Sequence, residues 1–151
     1  MQSQKPLISW FIIDESTCVN CGLCLKVCPK SAALGKSLFL QQAYAVKHTD
    51  INVLRSSTSG GAFSAIADYI IRENGTVYGC VLIDGIVQHI RTENEYGSMR
   101  GSKYVQSDLK NIYSEIAHDL SNGRKVLFTG TPCQCDSVKK YLTLKKYNPP
   151  I

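Results

Sequence analysis

A chain of 151 residues with 44% apolar and 19% charged side chains can bury one substantial core and is too apolar for global disorder. Its net charge of +5 is thinly spread, and the one dense group, Lys139, Lys140, Lys145 and Lys146, reads as a solvated helix face or a dock for an acidic partner or a flavin diphosphate, so no nucleic-acid partner is expected. Seven cysteines, an odd number with four inside eleven residues, argue against a disulfide framework and for metal-binding or catalytic thiols in a reducing, cytoplasmic setting.

In chain order, residues 7–13 are apolar but far short of the roughly 20 that a bilayer span requires. No small-residue cleavage site follows before Asp14 and Glu15, so the segment is expected to be a strand, and no membrane span is expected. Residues 1–36 are expected to form a compact cysteine module, and residues 37–151 a second unit. In that second unit, residues 39–48 read as a strand centred on Ala43-Tyr44-Ala45-Val46. The run Ser56-Ser57-Thr58-Ser59-Gly60-Gly61 then leads into a helix over 60–74. Phe63, Ile66, Ala67, Ile70 and Ile71 recur along it at helical spacing, and Gly75 is expected as its left-handed cap. Thr76–Ile83 and Ile86–Thr92 read as a hairpin around Asp84-Gly85.

After a polar loop, Ser107 is expected to cap a helix that buries Leu109, Ile112, Ile116 and Leu120 and ends at Gly123. Residues 125–128 read as a short strand, and Pro132 as the first residue of a last helix with Val138, Tyr141 and Leu142 on its apolar side. Helices alternating with apolar strands predict an α/β layered domain, with α+β as the alternative. The end, Asn148-Pro149-Pro150-Ile151, caps nothing, so the layered domain is expected to be incomplete and the chain to be a truncated form.

The most specific motif is Cys18-Val19-Asn20-Cys21-Gly22-Leu23-Cys24-Leu25-Lys26-Val27-Cys28-Pro29, the C-x2-C-x2-C-x3-C-P run of bacterial ferredoxins. Two intervening residues let three thiolates from one tight loop meet a small cube of iron and sulfide. Gly22 spares a side chain where the backbone wraps closely, and backbone N–H groups can face the cluster sulfurs. Zinc is the competing metal, but structural zinc sites use separated ligand pairs rather than one run. Cys18, Cys21, Cys24 and Cys28 are therefore the candidate ligands of a [4Fe–4S] cluster. In paired modules the fourth cysteine of a run serves the other cluster. Here either Cys28 closes the local site, or a distant cysteine or partner chain does, or an upstream run is missing; the segment Trp10-Phe11-Ile12-Ile13-Asp14 favours the last.

Three further groups stand out. Ser56 to Phe63 sets hydroxyls and glycines at a helix N-terminus, suited to an anion such as phosphate or simply to capping. Arg100-Gly101-Ser102-Lys103-Tyr104 gathers two cations, a glycine and an aromatic; it can hold a flavin, with Lys103 near an anionic group and Tyr104 stacking, or form a solvated turn. Gly130-Thr131-Pro132-Cys133-Gln134 places a thiol in the first turn of a helix, where thiolate is favoured. Cys80 is expected in the core, and His48, His89 and His118 form no spaced set and are expected to be packing or surface residues. No catalytic residue is assigned.

Taken in order, the run at 18–29, Ser57-Thr58-Ser59-Gly60-Gly61-Ala62-Phe63, Arg100-Gly101-Ser102-Lys103-Tyr104-Val105-Gln106-Ser107 and Val126-Leu127-Phe128-Thr129-Gly130-Thr131-Pro132-Cys133-Gln134 resemble the coenzyme F-420 hydrogenase/dehydrogenase beta subunit family. The resemblance implies an oxidoreductase that passes electrons between iron–sulfur clusters and FAD, and on to a redox partner protein or an organic acceptor such as a deazaflavin, as one subunit of a larger complex. It implies Ser57, Ser59, Gly60, Gly61, Gly101, Ser102, Lys103 and Tyr104 as flavin-site residues and Cys133 as a cluster ligand. It also implies that 37–151 is the N-terminal part of the family's flavin domain. Two other functions remain open from the residues: a simple ferredoxin-like electron carrier or binding module, and a metal-binding chain without turnover.

Overall fold

A computed structural model describes residues 15–28 and 42–146. The expected strand at 7–13 lies outside these residues, as do 39–41 of the expected strand 39–48. The elements are α1 (Leu23–Val27), α2 (Ile51–Arg55), α3 (Ala62–Arg72), β1 (Thr76–Ile83), β2 (Ile86–Thr92), a single 3-10 turn at Gly97–Met99, α4 (Ile112–Ser121), β3 (Val126–Phe128) and α5 (Pro132–Leu144).

The hairpin forms with the expected bounds. Asp84 and Gly85 take positive φ of 50° and 78°, the primed turn that matches strand twist, and β1 pairs antiparallel with β2 from Val77↔Thr92 to Ile83↔Ile86. β3 adds to the other side of β1 in parallel, from Thr76↔Val126 to Tyr78↔Phe128, giving the order β2-β1-β3. A small mixed sheet with helices makes the described chain α+β, the second of the two expected classes.

Alternation along β1 feeds two cores. Val77 and Val81 face Ala67, Tyr96 and Met99, with Phe63, Ile70 and Ile71 of α3 packed against them. Tyr78, on the opposite face, meets Leu109, Ile112, Tyr113 and Ile116 around α4, and Val138 and Leu142 of α5. The phenolic O–H of Tyr78 donates to Asp119 Oδ2 at 2.7 Å, and Arg91 grips the same carboxylate through Nε and Nη2, both at 2.9 Å. Among the described residues, no helix is long and apolar enough to cross a membrane.

Four expectations need correction. Residues 42–48 form no strand; they run past the glycine loop, where His48 N–H donates to Gly60 O at 2.7 Å. The approach is so close that a Cβ on Gly60 would fall 1.9 Å from Val46 O. Gly60→Ala is accordingly expected to cost about 1–3 kcal/mol through overpacking, read as a shift of the urea midpoint with an unchanged slope. Second, α2 was not anticipated; Asp50 caps it by accepting from Asn52 N–H at 2.8 Å.

Third, α3 spans less than 60–74, and its left-handed residue is Asn74 (φ 55°), not Gly75. The N–H groups of Asn74 and Gly75 reach back to Ile71 O and Ile70 O, a Schellman closure. Gly75 is needed for space instead, since a Cβ there would lie 2.6 Å from Lys125 O. Fourth, Ser107 caps no helix. Asp108 exchanges backbone bonds with Val87 and His89 at the β2 edge, which delays α4 to Ile112 and turns the Ser107 side chain inward.

Candidate functional site

The cysteine run curls because Asn20 (φ 53°) and Gly22 (φ 70°) both take left-handed backbone within three residues. Gly22 O then accepts from the N–H groups of Leu25 and Lys26 and starts α1. Cys18 and Cys21 are exposed, Cys24 and Cys28 half-buried, and none of the four is in a disulfide. A set of four accessible thiols on a tightly turned loop suits the soft sulfur coordination of an iron–sulfur cluster. Among the described residues no three His, Cys, Asp or Glu side chains converge on one point, so binding requires the cysteine side chains to rotate inward.

The run does not stand apart from the rest of the chain. Val27 is buried, and its carbonyl accepts from Ser137 Oγ of α5 at 2.7 Å, with Ser137 wholly buried. Cys28 follows Val27 directly, and Cys133 precedes Ser137 by four residues, on the same face of α5. The helix that carries Cys133 is thus the helix that seats the run. Cys133 Sγ lies 3.2 Å from Thr131 Oγ1, and Cys135 Sγ donates to Gly130 O at 3.7 Å.

α5 also borders a cavity of about 430 Å³ at the end of β3. Thr129 keeps the last parallel contact, its N–H donating to Tyr78 O at 3.0 Å, and the chain then turns through Gly130 into α5. That places the cavity at the carboxyl end of a parallel strand, where α/β-type sheets bind ligands. The three motifs separated in sequence converge here. Of the expected flavin residues, Ser57, Ser59, Gly61, Gly101, Ser102, Lys103 and Tyr104 line it; Gly60 does not, being occupied with the Val46 approach. Ser102 N–H donates to Thr58 Oγ1 at 3.3 Å and ties two of the motifs together.

Arg100 and Lys103 supply the positive charge, and among the described residues no carboxylate lines the cavity. Arg100 is held by Ser64 Oγ and Ser56 Oγ, each at 3.0 Å, with its guanidinium over the Tyr96 ring. Lys103 Nζ donates to the carbonyls of Ser98, Met99 and Arg100 at 2.8–3.1 Å, so its ammonium secures the 3-10 turn. Tyr104 is 91% exposed and stacks on no aromatic ring among the described residues. The N-termini of α3 and α5 both open onto the cavity, adding their dipoles to the two cations.

Sequence reading missed the floor of this cavity. His89 is 3% exposed, stacked on Phe128, with Nε2 at 2.8 Å from Thr129 O and Nδ1 at 2.8 Å from Ser107 Oγ. Gln134 Nε2 donates to the same Ser107 oxygen at 2.9 Å, and Gln134 Oε1 accepts from Thr131 N–H at 2.9 Å. Strand alternation held the signal, since 87, 89 and 91 share a face. Cys80, paired with His89 across the ladder, is not in the core but half-buried at the cavity wall.

Burial pushes the His89 pKa below its ordinary 6.5, outweighing the carbonyl of Thr129. The unfolded chain therefore binds the proton more readily, and stability rises with pH in this range. Stability is expected to decline as pH falls below about 6.5, in thermal melts followed across pH, and His89→Gln is expected to flatten that decline.

A mixed α+β protein with a ferredoxin-type cysteine run is the class these features define. In agreement, the 4Fe-4S binding domain family matches residues 11–33, which carry the whole run. No curated protein and no solved structure matches the chain. The N-terminal segment is thus a 4Fe-4S ferredoxin-type module, a class of module that transfers electrons to and from a redox partner.

Proposed function

We propose that this chain carries electrons between a [4Fe–4S] cluster and FAD, as its resemblance to the coenzyme F-420 hydrogenase/dehydrogenase beta subunit family implies. The single observation that carries the reading is the placement of α5. Its Gln134 borders the cavity and its Ser137 seats the cysteine run, about 4.5 Å apart along the helix axis. Cys18, Cys21 and Cys24 would hold the cluster, with Cys28 or Cys133 as the fourth ligand. The cavity suits a flavin in size, since ligand pockets span roughly 300–1,000 Å³. It suits one in charge as well, with two cations, two helix N-termini and, among the described residues, no carboxylate.

Ser57, Ser59, Gly61, Gly101 and Ser102 would cradle the cofactor, and Gly60 would keep the loop in place behind them. A bound flavin supplies the exchange between single electrons and a hydride. In this reading 1–36 is the cluster module, 37–151 is the first part of a layered flavin domain, and the chain works in a cytoplasmic complex with a protein or small organic acceptor. The simple carrier is favoured by one observation: Lys103 spends its ammonium on three carbonyls.

The test is a titration of the anaerobically reconstituted chain with FAD, followed by flavin fluorescence, and then reduction of the cluster with dithionite. Saturable quenching and bleaching of the bound flavin are expected. A chain with an intact cluster that leaves FAD fluorescence unchanged would be a carrier only.

A further inference from the structure

The chain of hydrogen bonds at the cavity floor has a fixed direction, because both of its ends are backbone groups. A carbonyl cannot donate, so His89 Nε2 carries the hydrogen shared with Thr129 O. A backbone N–H cannot accept, so Gln134 presents Oε1 to Thr131 and its NH2 to Ser107. Ser107 Oγ therefore accepts from Gln134 and donates its own hydrogen to Nδ1 of a neutral His89.

A proton can enter His89 only at Nδ1. When it does, Ser107 Oγ accepts from both neighbours and its hydrogen must turn elsewhere. Ser107, His89 and Gln134 all line the cavity, so the open direction is toward whatever the cavity holds. We infer that His89 and Ser107 form a proton relay serving the cavity ligand, with Ser107 Oγ–H as the group that meets it and His89 Nδ1 as the proton store. This inference rests on the flavin reading of the cavity.

The step balances simply. When a ligand in the cavity gains negative charge, a proton from the cavity would pass to Ser107 Oγ as the hydrogen of Ser107 moves to His89 Nδ1, leaving a His89 imidazolium to balance that charge. When that charge is lost on oxidation, the proton returns by the same route. Few charges compete. Cys80 stands across the ladder on β1, β3 offers only the Phe128 ring, and Asp108 has a carboxylate oxygen occupied by Lys110 N–H. From α5 comes neutral Gln134, with Cys133 beside it, and across the cavity stand Arg100 and Lys103, both held by neighbouring oxygens. The two cations favour the neutral resting histidine that burial already imposes.

Two measurements test the relay. In the cofactor-free chain, nitrogen-15 NMR at pH 7 should find His89 neutral and protonated on Nε2; the Nδ1–H tautomer or an imidazolium would overturn the relay. In the FAD-loaded chain, the flavin midpoint potential is then followed against pH. Over one window the wild type should take up one proton per two electrons beyond the flavin's own. His89→Gln, which can keep both hydrogen bonds but cannot titrate, should bind FAD within about threefold and lose the extra proton. Ser107→Ala should lose it too, and Ser107→Thr should restore it. FAD bound normally with the extra proton retained in His89→Gln would sink the relay alone. Failure of the wild type to bind FAD would sink the relay together with the flavin site.

Discussion

Replacing Cys18, Cys21 or Cys24 singly by serine is expected to remove the iron–sulfur absorption of the reconstituted chain almost entirely, by tenfold or more in bound iron. The tight turn fixes the position of each of these three thiolates, so another thiol does not replace one of them in place, and a serine hydroxyl does not ionise near neutral pH as a thiol near pKa 8.5 does when metal is present. The loop itself should survive, because its turn depends on Asn20 and Gly22 and its anchor on Val27 and Ser137. Circular dichroism should therefore be unchanged while iron is lost. Two further variants identify the fourth ligand: Cys28→Ser loses iron if the run closes on itself, and Cys133→Ser loses it if α5 completes the site. Full iron retention in all of the first three variants would contradict the assignment of the run.

Asp119→Ala is expected to cost about 3–5 kcal/mol. The carboxylate is 3% exposed, and burial alone would raise its pKa. The bidentate Arg91 guanidinium and the Tyr78 hydroxyl overcome that and hold it at about 2, below the ordinary 3.8. Removing it leaves the fully buried Tyr78 hydroxyl without its acceptor and returns Arg91 to Glu93 alone. The same shift sets a pH dependence. Because the folded pKa lies below the unfolded one, the stabilisation is complete above pH 3.8 and disappears as pH falls toward about 2. Urea midpoints measured across that range should decline steeply in the wild type and less so in Asp119→Asn. Parallel declines in the two would show that the carboxylate does not carry the effect.

How far the fold could be read from the sequence depended on whether its causes were local. The Asp84-Gly85 hairpin and the Pro132 helix start are set by residues within a turn of each other, and both appear where expected. The cysteine run is legible for the same reason, since its chemistry is written in its spacing. What escaped was governed by distant partners. Residues 42–48 carry apolar and aromatic side chains suited to a strand, yet the glycine loop claims their backbone. Ser107 has the residue type of a helix cap but lies beside β2, where Asp108 joins the strand edge. His89 reads as an isolated histidine because Ser107, Thr129 and Gln134 reach it only through the folded sheet. The three motifs around the cavity were visible singly; their convergence required β1 and β3 to pair.

Metal analysis of chain prepared and reconstituted without oxygen tests the central assignment most directly. Iron and acid-labile sulfide in equal amounts, close to four of each per chain, are expected from the match to the 4Fe-4S binding domain, with a low-temperature paramagnetic signal on reduction. Zinc bound by the same thiols with no sulfide present would contradict it.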